Sequence, residues 1–173
     1  MIIRPFNGIS PKIDPSAFIA EGAVIIGDVR IGPGASIWYG CVVRGDVNRI
    51  RIGANTNIQD GTVIHVSRED FPTVIEDEVT IGHGAMIHGC TIERGSLIGI
   101  GAIVLDGAVV GAESFIAAGS LVTPGTVVPP RSMMMGSPAK VKKILGDDEV
   151  AQVQTFWQNY VTLSEIYMAE DRD

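Results

Sequence analysis

Aliphatic residues recur along this chain at every sixth position. They stand at Ile13, Ile19, Ile25, Ile31, Ile37 and Val43, resume at Ile52, Ile58 and Ile64, and run again from Ile92 through Ile98, Val104, Val110, Ile116, Val122 and Val128. Four places after each comes a small or β-branched residue. These are Ala17, Ala23, Val29, Ala35, Cys41 and Val47 in the first run, and Thr56 and Thr62 in the second. Ser96, Ala102, Ala108, Ser114, Ser120, Thr126 and Ser132 serve the third. A period of two describes a sheet with one buried face, and 3.6 describes an amphipathic helix. Six fits a chain wound into a coil with three short sides, each turning one aliphatic inward and packing a small residue at its corner. About eighteen residues then close one turn, and successive turns stack as parallel strands about 4.8 Å apart.

The repeat covers roughly residues 13–134. It resembles that of hexapeptide-repeat proteins, which implies a left-handed parallel β-helix, an exception to the right-handed crossover rule. The expected fold class is therefore all-β, with residues 1–140 forming the β-helix and 141–173 a linker and one α-helix of the same domain. The helix is read from Val150, Val153, Phe156, Trp157, Tyr160, Val161, Ser164, Tyr167 and Met168, an apolar stripe at helical spacing that should lie along the outside of the β-helix. Asp147 or Asp148 is placed to cap its start. Met133, Met134 and Met135 are expected to close the last coil, and Cys41 and Cys90 to be small buried residues.

The repeat breaks in three places. Three extra residues fall between Val43 and Ile52, the segment VSREDFP after His65 should bulge out as a loop, and a one-residue slip lies between Ile81 and Ile92. Interruptions of a strict repeat are where function tends to be placed.

Composition agrees with the fold and narrows the function. With 21 glycines and only 6% aromatics, the chain suits short strands and tight turns. A net charge of −7 with no basic stripe argues against nucleic acid and against an anionic membrane surface as partners. No apolar run reaches the ~20 residues of a membrane span, the first residues lack a signal-peptide pattern, and two cysteines make no disulfide framework. The simplest expectation is a cytoplasmic protein.

All three histidines, His65, His83 and His88, lie within the stretch from Arg44 to His88, together with the polar set Arg44, Asp46, Asn57, Gln59 and Asp60. Imidazoles confined to one short segment point to a metal site, where three of them leave a divalent ion an open position. His65 and His88 are 23 residues apart, each one place after an inward aliphatic. If the loop takes about five of those residues, one coil remains and the two imidazoles stack on one face, ~5 Å apart. His83 sits on another phase, off an adjoining edge. A threefold trimer would bring His83 of one subunit to His65 and His88 of its neighbour.

The order R-G-D at 44–46, N-I-Q-D at 57–60, I-H at 64–65, I-G-H at 81–83 and I-H-G-C at 87–90 resembles the γ-class carbonic anhydrase family. The match extends over nearly the whole chain, including G-S-P-A-K at 136–140 and the C-terminal helix. The resemblance implies a homotrimer with a three-histidine metal site at each subunit interface, hydrating CO2 to bicarbonate. It makes His65, His83 and His88 the ligands of Zn2+, with Fe2+ or Co2+ accepting the same donors. It makes Arg44 and Asp46 an interface ion pair and Gln59 the residue that hydrogen-bonds the bound water or bicarbonate. Asn57 and Asp60 become supporting polar residues, Asp60 orienting a ligand imidazole, and Tyr160 is a further candidate from the helix. Val47 stands where active members of that family carry a glutamate, and neither Glu69 nor Asp70 matches a family position, so slow turnover is expected. Two other readings fit the same repeat: an acyl-CoA thioesterase or acyltransferase, marked by acyl-CoA turnover, and a non-catalytic metal-bearing trimeric scaffold.

Overall fold

The computed structural model describes residues 1–68 and 70–170. It is a left-handed parallel β-helix of triangular section with one α-helix, Asp147–Glu170, along its side. The sixfold pattern becomes three stacked ladders of buried aliphatics. Ile25, Val43, Ile64, Ile87, Val104 and Val122 form one, Ile31, Ile52, Ile75, Ile92, Val110 and Val128 the second, and Ile37, Ile58, Ile81, Ile98, Ile116 and Met134 the third. Parallel strands buried on their inner face hold these ladders in register, and their contiguous apolar contact is the main force closing the prism.

One face is a single sheet that runs from Phe18–Ile19 to Ser132–Gly136 and ends in Ala139–Ile144. The other two faces are joined because the strands Val24–Ile31 and Val42–Ile52 continue round a corner. One branch then carries Val63–His65, Met86–His88, Ile103–Val104 and Leu121–Val122, and the other carries Thr73–Ile75, Thr91–Ile92, Val109–Val110 and Val127–Val128.

The structure revises the sequence reading at three points. Val47 does not fill the corner after Val43. Gly27 pairs with Gly45 but Val29 pairs with Ile50, so the extra residues bulge outward between these pairs and Ile50 takes the fully buried corner. The expected linker begins as a strand: Ala139–Ile144 folds back antiparallel on Ser132–Gly136 and pairs the edge that the last coil would leave open. The helix start is capped by Gly146 rather than by an aspartate. Its carbonyl accepts from Val150 N–H at 3.0 Å and its N–H donates to Glu149 Oε2 at 3.2 Å, while Asp147 pairs with Arg131.

The helix packs on the single-sheet face, as its stripe predicts. Trp38, 3% exposed, is enclosed by Phe18, Tyr160 and Tyr167, with ring centroids 5.1–5.3 Å away. Phe156 is the exception on the stripe and is half-exposed. Among the described residues no helix is long and apolar enough to cross a membrane.

Candidate metal centre

Register brings two imidazoles together. His65 ends the strand Val63–His65, His88 ends its parallel neighbour Met86–His88, and the two are direct partners in the ladder. Their ring centroids are 5.1 Å apart. The loop supplies the five residues by which the aliphatic spacing from Ile64 to Ile75 exceeds the usual six. Thr73 ties down the backbone where the strands part: its hydroxyl donates to His65 C=O at 2.6 Å and accepts from Gly89 N–H at 3.0 Å.

Each histidine has its own carboxylate. His65 donates from Nε2 to Asp46 Oδ1 at 2.9 Å and His88 from Nδ1 to Asp106 Oδ1 at 2.7 Å, while His83 Nδ1 lies 2.8 Å from Asp60 Oδ2 as a charge-pair contact. An ionised carboxylate only accepts, so the two hydrogen bonds fix which ring nitrogen of His65 and of His88 carries the proton. The nitrogens left over, His65 Nδ1 and His88 Nε2, face each other at 3.1 Å. With both protons held outward, this is a pair of lone pairs at hydrogen-bond distance, a repulsive arrangement that a cation relieves. Two imidazole nitrogens on a tetrahedral zinc are about 3.3 Å apart, so the donor pair fits a divalent ion.

Asp46 also accepts from Arg44, and this ion pair is made within one chain. Burial opposes ionisation of Asp46, but the hydrogen bonds from His65 and Arg44, with the Arg44 charge, outweigh it and hold the carboxyl below its ordinary range.

His83 stands apart from the other two. Among the described residues no three His, Cys, Asp or Glu side chains converge to hold a metal ion. Instead His83 lines a largely apolar cavity of about 330 Å³ with Gln59, Ile100, Phe156 and Tyr160. Gln59 is held from below: its Nε2 donates to Asn57 Oδ1 at 3.2 Å, and Asn57 Nδ2 donates to Thr80 Oγ1 at 2.9 Å. Burial, helped by the Asp60 charge, pushes the Tyr160 phenol above its ordinary value, so it is a hydrogen-bond donor and not a base near neutral pH. Asp70 is exposed on the loop, and Glu69 lies outside the described residues.

Asp106 is the member of this set that sequence reasoning missed. It lies 18 residues after His88, one coil further along. The period that stacks His65 on His88 would have found it had it been applied once more to each histidine.

The family model described as bacterial transferase hexapeptide (six repeats) matches residues 10–45 and 89–124. Gamma carbonic anhydrase 2, mitochondrial, of Arabidopsis thaliana is 47% identical over 167 residues, which cover 94% of this chain and 60% of that protein. The chain thus spans less than two thirds of that relative. A probable carbonic anhydrase of Methanocaldococcus jannaschii is 54% identical over 153 residues, covering 88% of this chain and 96% of its own. Among solved structures, a putative acetyltransferase of Bacillus cereus superposes with a TM-score of 0.95 at 40% identity, covering 97% of each chain.

Proposed function

The chain belongs to the γ-carbonic anhydrase family, and from that premise we propose that it interconverts CO2 and bicarbonate at a metal site shared between subunits of a homotrimer. His65 and His88 of one subunit and His83 of the next are the ligands. Zinc is the metal we assign, with ferrous iron and cobalt accepted by the same donors. The observation that carries the reading is the pair of His65 and His88 nitrogens that face each other at 3.1 Å with their protons drawn outward.

When bound, the ion supplies the Lewis acidity that ionises water near neutral pH. The chain does the rest. Asp46 holds the proton of His65 on its outward nitrogen, Asp60 places its charge beside His83 Nδ1, and Arg44 balances the charge of Asp46. Gln59, braced by Asn57, offers a donor and an acceptor, which suits it to align CO2 and then a bicarbonate oxygen. Tyr160 contributes a protonated hydroxyl on the same cavity wall. The apolar lining from Leu97, Ile100 and Phe156 suits a nonpolar gas and limits water. Val47 offers no acceptor for the proton released on each cycle, so turnover is slow.

Subunit sharing is tested by mixing. His83→Ala trimers and trimers of the double variant His65→Ala, His88→Ala should each lack metal. Unfolded and refolded together, they should recover about one site in four for random assembly, because each supplies what the other lacks. No recovery in mixed trimers would contradict the shared site.

A further inference from the structure

We infer that Asp106 is a positioning residue for this centre: it sets the ring orientation and the free nitrogen of His88, and so holds the His65–His88 pair open for a cation. The inference rests on the metal-centre reading above.

Asp106 follows the strand Ile103–Val104, which pairs in register with Met86–His88. The turn that carries it is fastened on both sides. Gly107 N–H donates to Gly89 C=O at 2.7 Å, and Asp106 C=O accepts from Gly125 N–H at 2.9 Å. Its carboxylate occupies space that the chain has cleared. Gly89, at a φ of +53°, follows His88 directly, and a β-carbon there would stand 2.1 Å from Asp106 Oδ1. Phe71 from the inserted loop covers the same spot, within 3.0 Å of where β-carbons on Gly89 and Gly107 would lie.

The consequence follows from tautomers. With Asp106 as acceptor, His88 keeps its proton on Nδ1 and presents the Nε2 lone pair to His65. Without it, nothing holds the proton on Nδ1, and neutral imidazole intrinsically favours the proton on Nε2. From there it would be donated to His65 Nδ1, closing the pair as an ordinary hydrogen bond and consuming both lone pairs. His88 is about one-third exposed, so packing alone does not fix its ring. Asp106 therefore acts on metal affinity through His88 and touches no substrate.

The test uses the intact protein and two readouts. Metal affinity is measured by chelator competition for wild type, Asp106→Ala and Asp106→Asn, and the imidazole nitrogens of the metal-free proteins are read by 15N NMR at one pH. Asparagine keeps the shape without the charge and can either accept from Nδ1–H or donate to Nδ1, so it no longer commits the proton to Nδ1. Both variants should stay trimeric with wild-type melting behaviour and bind zinc more weakly, Asp106→Ala by about 10–100-fold and with its His88 proton on Nε2. Affinity of Asp106→Ala within about twofold of wild type, or an unchanged His88 tautomer in it, would overturn the inference. Absence of metal from the wild-type protein would sink the underlying metal reading instead, while the NMR result would still decide what Asp106 does to His88.

Discussion

At the scale of single residues, burial governs the chemistry of the cysteines as well as the site. Cys41 and Cys90 pack at coil corners, 0% and 2% exposed. Burial pushes the Cys41 thiol to about 11 and the Cys90 thiol to about 12. A thiol whose pKa rises on folding stabilises the native state fully below its unfolded value of ~8.5. That contribution is lost as pH climbs through the folded values. We therefore expect no reaction of the native protein with iodoacetamide at about pH 8, complete labelling of both thiols in denaturant, and a melting temperature that falls as the solution is made alkaline above ~8.5. Rapid native labelling would contradict the packing described. The same scale explains what could be read in advance at the candidate site. The stacking of His65 on His88 needed only the period and the loop length. Asp106 escaped because an aspartate before a glycine in a turn is ordinary in such a repeat, and its meaning depends on which residue lies one coil before it.

Among elements, the helix and the face it covers depend on one another. Trp38 and Phe18 are buried by the helix, and the helix has few other anchors: Val150, Val153 and Ser164 are its buried residues. Trp38→Ala removes a side chain enclosed by three aromatic rings and should destabilise the protein by about 3–5 kcal/mol. Denaturant titration measures this, and limited proteolysis should then cut within 147–170 first. Unchanged stability would mean that the helix is held elsewhere. The aliphatic ladders were legible because the inward position recurs without exception wherever the coil is regular. Where it is irregular, the pattern locates the disturbance but not its resolution. The three extra residues after Val43 were visible, yet whether Val47 or Ile50 takes the corner depends on where the bulge forms between Gly45 and Ile50. The helix cap failed for a similar reason: Arg131, distant in sequence, engages Asp147 and leaves the cap to Gly146.

For the whole molecule, a single β-helix presents its three histidines on different edges. His65 and His88 share one face, and His83 stands beside the cavity under the helix. A rigid prism cannot fold these edges together, so the proposed ligand set requires assembly about a threefold axis. The proposed slow turnover belongs to this scale too, since Val47 would leave a shared site without a carboxylate at that position to carry protons away. The central claim is that this assembly is a metal-dependent CO2 hydratase. The most direct test is metal content per chain and stopped-flow CO2 hydration on one anaerobically purified preparation, divided into zinc- and iron-loaded portions. One metal per chain with measurable hydration that disappears on chelation and returns on reloading is the predicted result. Trimers without metal under either loading, or fully metallated trimers with no hydration, would contradict it.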